Sequence, residues 1–228
     1  MRIATAHPRT VIGRDYHNRR KLYAFLAALG LLGLTGAAWS ERVTLLRKMG
    51  TAIVHEDVLG PADVVVVSNA AVRAGALEAA GLFRAGLARA VVIPTWPDEP
   101  LDDDLRRLGV PVLGPTRLAR TILARRGVPA RAVTMLPEPV DGTGAETAAV
   151  ARFVRARGVR SVLFLTARSH TARARWLLAR RLPAGVRSAV RSPRRDPFDP
   201  QRWWCDHGAS REVAFEYLRW LHDLVARG

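Results

Sequence analysis

The chain has 228 residues and carries 36 Lys and Arg against 20 Asp and Glu, a formal net charge of +16. A hydrophobic fraction of 49% is enough for a core and excludes disorder throughout, while the single cysteine, Cys205, excludes an internal disulfide and a cysteine-based metal site. Nearly all the positive charge is arginine spread over predicted helices, with Lys21 and Lys48 the only lysines, so no nucleic-acid partner is expected from it.

Met1 to Lys21 is polar and basic and has no apolar period, which reads as an irregular cytoplasmic tail. Leu22 to Trp39 then carries no charge and is about long enough to span a bilayer as a helix. Tyr23 and Trp39 sit near its two ends, where interfacial aromatics belong. The cluster Arg19, Arg20 and Lys21 places the N-terminus in the cytoplasm and the remaining chain outside. The expected arrangement is thus a single pass through the plasma membrane, with membrane lipid as the partner of the anchor. A signal peptide cleaved near Gly36-Ala37-Ala38, or a buried soluble helix, are the alternatives. Ser40 to Gly60 reads as a connector, and the globular domain runs from Pro61 to Gly228.

In that domain Asp63 to Val67 is a β-branched run, the mark of a strand buried on both faces. Helix is expected over Ala71 to Ala85, then strand over Ala90 to Ile93, ending at Pro94. Asp102, Asp103 and Asp104 fit the first turn of a short helix better than a metal site, because a helix N-terminus favours negative charge. Helix Thr116 to Arg126, strand Ala132 to Leu136 and helix Ala145 to Arg157 follow. Ser161 to Leu165 is a short apolar run that reads as a strand covered on both faces and leads through the polar turn Thr166 to Ser169 into a helix from His170. Gly185 to Val190 reads as an edge strand. The Arg-rich stretch Arg187 to Arg202 is expected either to face anionic lipid or wall polymer or to be a plain solvated loop. The last helix, Arg211 to Ala226, is expected to bury Val213, Tyr217, Leu218, Leu221 and Leu224. Strands alternating with helices predict an α/β fold, a doubly wound and mostly parallel sheet.

Three strand ends carry polar residues: Ser68 and Asn69 with Arg73 nearby, Glu138 with Asp141, and Thr166 to His170 with Arg173. Parallel strands bring such ends to one sheet edge, the usual ligand crevice of this architecture. Arg73 and Arg173 suit a phosphate or carboxylate, and His170 suits proton transfer with Glu138 holding its tautomer. The chain lacks a GxSxG elbow, a GxxxxGK[ST] loop, an HExxH motif and a strand-linked GxGxxG, so none of that machinery is expected.

The order of motifs resembles the DUF218 domain family, the group of the YdcF-like envelope proteins. The likeness covers about Ala62 to Trp220. It rests on ADVVVVSN before an Arg-bearing helix, RRGVPARAVTMLPE, DGTGAET, TARSHTARA and a late Trp ahead of EYLRW. The resemblance implies a Rossmann-like fold behind one membrane anchor and a role in cell-envelope or cell-wall biogenesis. It also implies a hydrolase or transferase of unspecified reaction with Arg73, Glu138, Glu146, Thr166, His170 and Arg173 at its site. The expected site is therefore His170 and Glu138 for catalysis, with Ser68, Asn69, Arg73, Glu146, Thr166, Ser169 and Arg173 binding an anionic or lipid-linked ligand. No cofactor is named by these residues. A non-catalytic envelope-binding protein remains the second reading.

Overall fold

The computed structural model describes residues 12–225. The chain divides into two compact units, one ending at Leu46 and the other starting at Arg47. Arg2 and Arg9 of the basic tail, and Ala226 at the expected end of the last helix, lie outside the described residues.

The first unit is built on helix α1 (Ile12–Ser40) and the start of α2 (Arg42–Ala52). The helix begins ahead of the apolar run, so residues 12–21 are helical where an irregular tail was expected. Leu22, Phe25, Leu29, Leu32 and Trp39 are all exposed, and the Arg42 guanidinium stacks over the Trp39 ring at 4.4 Å. Among the described residues no single helix is long and apolar enough to cross a membrane. Residues 21–37 and α2 meet that test only as a pair.

The second unit is an α/β domain with a five-stranded, all-parallel sheet of the Rossmann type. Its strands are β1 (Ala62–Val67), β2 (Ala88–Thr95), β3 (Val133–Pro139), β4 (Ser161–Leu165) and β5 (Arg187–Arg191), in the order β3-β2-β1-β4-β5. β1 and β4 are central, and the apolar runs VVVV and VLFL are fully covered there, as a strand between two helical layers requires. Helices α3 (Val72–Arg84) and α5 (Pro115–Arg125) pack together, as do α6 (Gly142–Arg157) and α7 (Thr171–Arg181). Right-handed crossovers put these two pairs on opposite faces of the sheet. The short α4 (Asp102–Arg107) begins with the three aspartates; Arg106 pairs with Asp98, Asp102 and Asp103. The final helix is α8 (His207–Val225).

Several boundaries differ from the sequence reading: β3 runs on to Pro139, and α6 and α8 start earlier, at Gly142 and His207. β2 continues past Pro94, and the β2–β3 register shifts between Ile93 and Thr95. Proline lacks the N–H that a regular ladder needs, so the strand passes it as an irregularity instead of ending. The expected connector is also not a connector beyond Arg47. Ile53 is buried, Asp57 accepts the Val190 N–H at 2.8 Å, and the His55 N–H donates to Thr171 at 2.8 Å. This stretch straps β5 and α7, so the domain starts well before Pro61.

The strap depends on Gly50. A Cβ there would meet the Pro200 carbonyl at 2.3 Å and the Trp203 ring at 2.5 Å. Gly50→Ala should therefore destabilise the domain by roughly 1–3 kcal/mol, overpacking outweighing the better helix propensity. Urea unfolding of the full chain in detergent checks the sign.

Candidate functional site

The topology reverses between β1 and β4, and a cleft of about 420 Å³ opens at the carboxyl ends of these strands. Ser68 and Asn69 reach it from the end of β1, Thr143 and Glu146 from the start of α6, and His170 and Arg173 from the start of α7. Arg219, His222 and Asp223 of α8 complete the wall. Five expected residues, Ser68, Asn69, Glu146, His170 and Arg173, thus line one cleft.

Two buried glutamates organise it. Glu146 accepts the Ser68 hydroxyl at 2.6 Å, the Asn69 N–H at 2.8 Å and the Trp96 indole N–H at 2.5 Å. It fixes the turn after β1 against α6. Burial pushes the Glu146 carboxyl above its ordinary value, and these three donors only partly offset that.

Glu216 of α8 is fully buried. Its Oε2 lies 2.6 Å from His170 Nδ1, and its Oε1 accepts Arg173 Nε at 2.6 Å. Burial opposes its charge, but the His170 and Arg173 hydrogen bonds and charges outweigh it and hold the carboxyl below its ordinary value. Arg173 also donates to Thr143 at 3.2 Å and to Asp223 at 3.3 Å. Glu212 faces His170 Nε2 at 3.4 Å. One carboxylate thus orients both the imidazole and the guanidinium.

The α6 N-terminus faces the same cleft. Asp141 occupies its cap position without a side-chain cap bond, and Gly142 follows at φ 75°, a conformation suited to glycine. The first N–H groups of α6 therefore lack a side-chain acceptor at an end that attracts anions. No group of His, Cys, Asp and Glu among the described residues is arranged to hold a metal ion.

The other expected residues sit elsewhere. Glu138 is exposed, paired with Arg152, and does not reach His170; Glu216 holds the ring instead. Arg73 is exposed and lines a neighbouring groove with Leu113 and Arg195, sharing Asn69 and Ala70 with the cleft. Thr166 is fully buried, its hydroxyl without a hydrogen-bond partner, and does not line the cleft. Ser169, also buried, donates to Glu212 at 2.6 Å and supports α8 from behind. Arg191 of the expected basic surface is engaged by Glu56 and the Asp57 carbonyl.

The largest correction concerns α8. Val213 and Glu216 are buried, whereas Leu218, Leu221 and Leu224 are each 58% exposed. The helix is turned so that Glu212, Glu216 and Asp223 face the site. Their shared face was legible in the spacing, but the leucines gave the stronger core signal.

No protein-family model, no curated protein and no solved structure matches the chain.

The carboxyl groups give the pH dependence a sign. Glu216 is held below its ordinary 4.5 and Asp63, accepting the Arg160 N–H, below 3.8. Each contributes stability that is present above its ordinary value and lost as pH falls through its lowered one. Glu146 is raised, so its contribution is complete below 4.5 and fades as pH rises through the folded value. The unfolding temperature should fall on acidification below pH 4.5, and Glu216→Gln should flatten that limb. Glu146→Gln should instead flatten the decline as pH rises above 4.5. Calorimetric scans across pH separate the two.

Proposed function

We propose that this protein is a membrane-anchored, extracytoplasmic member of the cell envelope that binds a phosphorylated or otherwise anionic group in the β1/β4 cleft. That group belongs to a small molecule or to a lipid-linked precursor. His170, oriented by Glu216, moves a proton there. The observation that carries this reading is the 2.6 Å contact between Glu216 and His170 Nδ1. A charged carboxylate accepts the Nδ1 proton and sets the tautomer, so Nε2, which Glu212 faces at 3.4 Å, is the nitrogen that exchanges a proton with a ligand in the cleft.

The anionic ligand follows from the surroundings. The α6 N-terminus, half-exposed Arg219 and exposed His222 converge on the cleft, with Arg173 behind them; Arg219 also faces Glu216 and His222 faces Asp223, each at 3.7 Å. Hydrolysis or group transfer with water or a second substrate as nucleophile fits this arrangement. The resemblance to the DUF218 domain family and the uncharged run Leu22 to Trp39 supply the envelope setting.

A second reading, binding without turnover, has its own observation. Ser68 is buried and its hydroxyl is committed to Glu146, so it offers no activated nucleophile.

Titration of the full chain in detergent with inorganic pyrophosphate and with a nitrophenyl phosphate ester tests both. Binding weakened by Arg219→Ala, with release of nitrophenol, supports catalysis; binding without release supports the second reading. Failure to bind either probe overturns the anionic-ligand assignment.

Orientation has a separate test. A reporter active only outside the membrane, fused after Gly228, should be active; activity of a cytoplasm-only reporter there would contradict the topology.

A further inference from the structure

Helix α8 carries its charges in an unusual arrangement. Its acids face inward: Glu212 meets Ser169 and His170, Glu216 meets His170 and Arg173, and Asp223 meets Arg173. Its outward side is apolar. Phe215, Leu218, Leu221 and Val225 recur at helical spacing and are between 49% and 70% exposed. A surface helix of a soluble domain ordinarily shows the reverse. The exposed bases Arg211 and Arg219 lie on the same helix, and its exposed side carries no unpaired acid.

A second element joins this face. Tyr217 donates to the Met49 carbonyl at 2.9 Å, and Met49 is exposed beside the exposed Arg47 and Lys48. This is the segment by which the chain enters the domain. The apolar run ends at Trp39, and only residues 40–46 separate it from Arg47. At 1.5 Å per helical residue that tether is about 10 Å.

We infer that the outward face of α8 seats on an anionic lipid surface as an in-plane amphipathic helix. Apolar side chains enter the headgroup boundary, and the flanking Arg and Lys residues meet the anionic headgroups. A second copy of the chain would satisfy the leucines, but the basic flanks would then repel one another; anionic lipid satisfies both. Because Arg219, His222 and Asp223 line the cleft from this same helix, its mouth then borders the bilayer. A headgroup reaches the cleft without leaving the membrane. The inference rests on the proposed anchor only for delivering the domain to the bilayer.

The test uses the full chain carrying Cys205→Ser and one new cysteine, Leu221→Cys or the exposed control Arg157→Cys, labelled with an environment-sensitive fluorophore. The chain is reconstituted in vesicles of phosphatidylcholine with phosphatidylglycerol. The Leu221 probe should be at least about threefold less quenched by aqueous iodide than the Arg157 probe. The protection should persist when protein is diluted in lipid and shrink with Arg211→Glu or in high salt. Equal quenching at both positions in chains that float with the vesicles overturns the docking alone. Protection that vanishes on dilution assigns the face to a second copy and overturns the inference. A chain that fails to float overturns the anchor as well.

Discussion

Glu216→Ala is expected to lower the unfolding free energy by about 3–5 kcal/mol. Glu216 is fully buried, and the Arg173 guanidinium it neutralises is nearly so. Removing the carboxylate leaves that positive charge in the interior with only Asp223, at 3.3 Å, as an ionic partner. It also strips His170 of its Nδ1 acceptor. Glu216→Gln retains the shape and one acceptor oxygen and should cost less. Urea unfolding of both variants beside wild type gives the two values. A loss below about 1 kcal/mol for the alanine variant would mean that Glu216 does not anchor α8.

His170→Ala should separate function from fold. The residue closes a turn and adds little to the hydrophobic core; Arg173 still satisfies Glu216 without it. The expected stability loss is about 1–2 kcal/mol, one hydrogen bond to a charged partner. Turnover of the phosphate ester should instead fall by roughly 10²–10⁴-fold, the usual contribution of a general base. Unchanged turnover would remove His170 from the chemistry, and a collapse of stability would make it a structural residue.

Much of this was legible in the sequence. β-branched and apolar runs marked β1 and β4, and their polar ends named Ser68, Asn69 and His170. Parallel pairing then brought these ends together. Glu138 misled because the apolar pattern placed it just after a strand, whereas it lies within β3, which runs to Pro139. β3, however, is an edge strand three places from β4, about 14 Å at ordinary strand spacing, so its end cannot reach His170. Arg73 lies on the exposed side of the first turn of α3, a rotation that strand-end position alone does not specify.

Glu216 escaped for a different reason. Helical periodicity finds the apolar face and assigns it to the core, and in α8 that face points outward. The inward rotation is set by three acids that meet His170, just before α7, and Arg173 within it, a match between elements distant in sequence. The strap over Arg47 to Gly60 was hidden likewise. Apart from the buried Ile53, its contacts are hydrogen bonds to β5 and α7 made by backbone groups of Ile53, His55 and Asp57 and by the Asp57 carboxylate, and these leave no apolar period.

The central claim is that His170 faces an anionic ligand across the β1/β4 cleft while Glu216 holds its other nitrogen. Nitrogen-15 NMR of histidine-labelled full chain, titrated with inorganic pyrophosphate, reads both ring nitrogens at once, the signal being assigned through its loss in His170→Ala. The account predicts that Nε2 of His170 shifts on binding, that Nδ1 keeps its Glu216 hydrogen bond, and that Arg219→Ala weakens the titration. Saturable pyrophosphate binding that leaves the His170 ring unmoved, and that survives Arg219→Ala, would place the ligand elsewhere and contradict it.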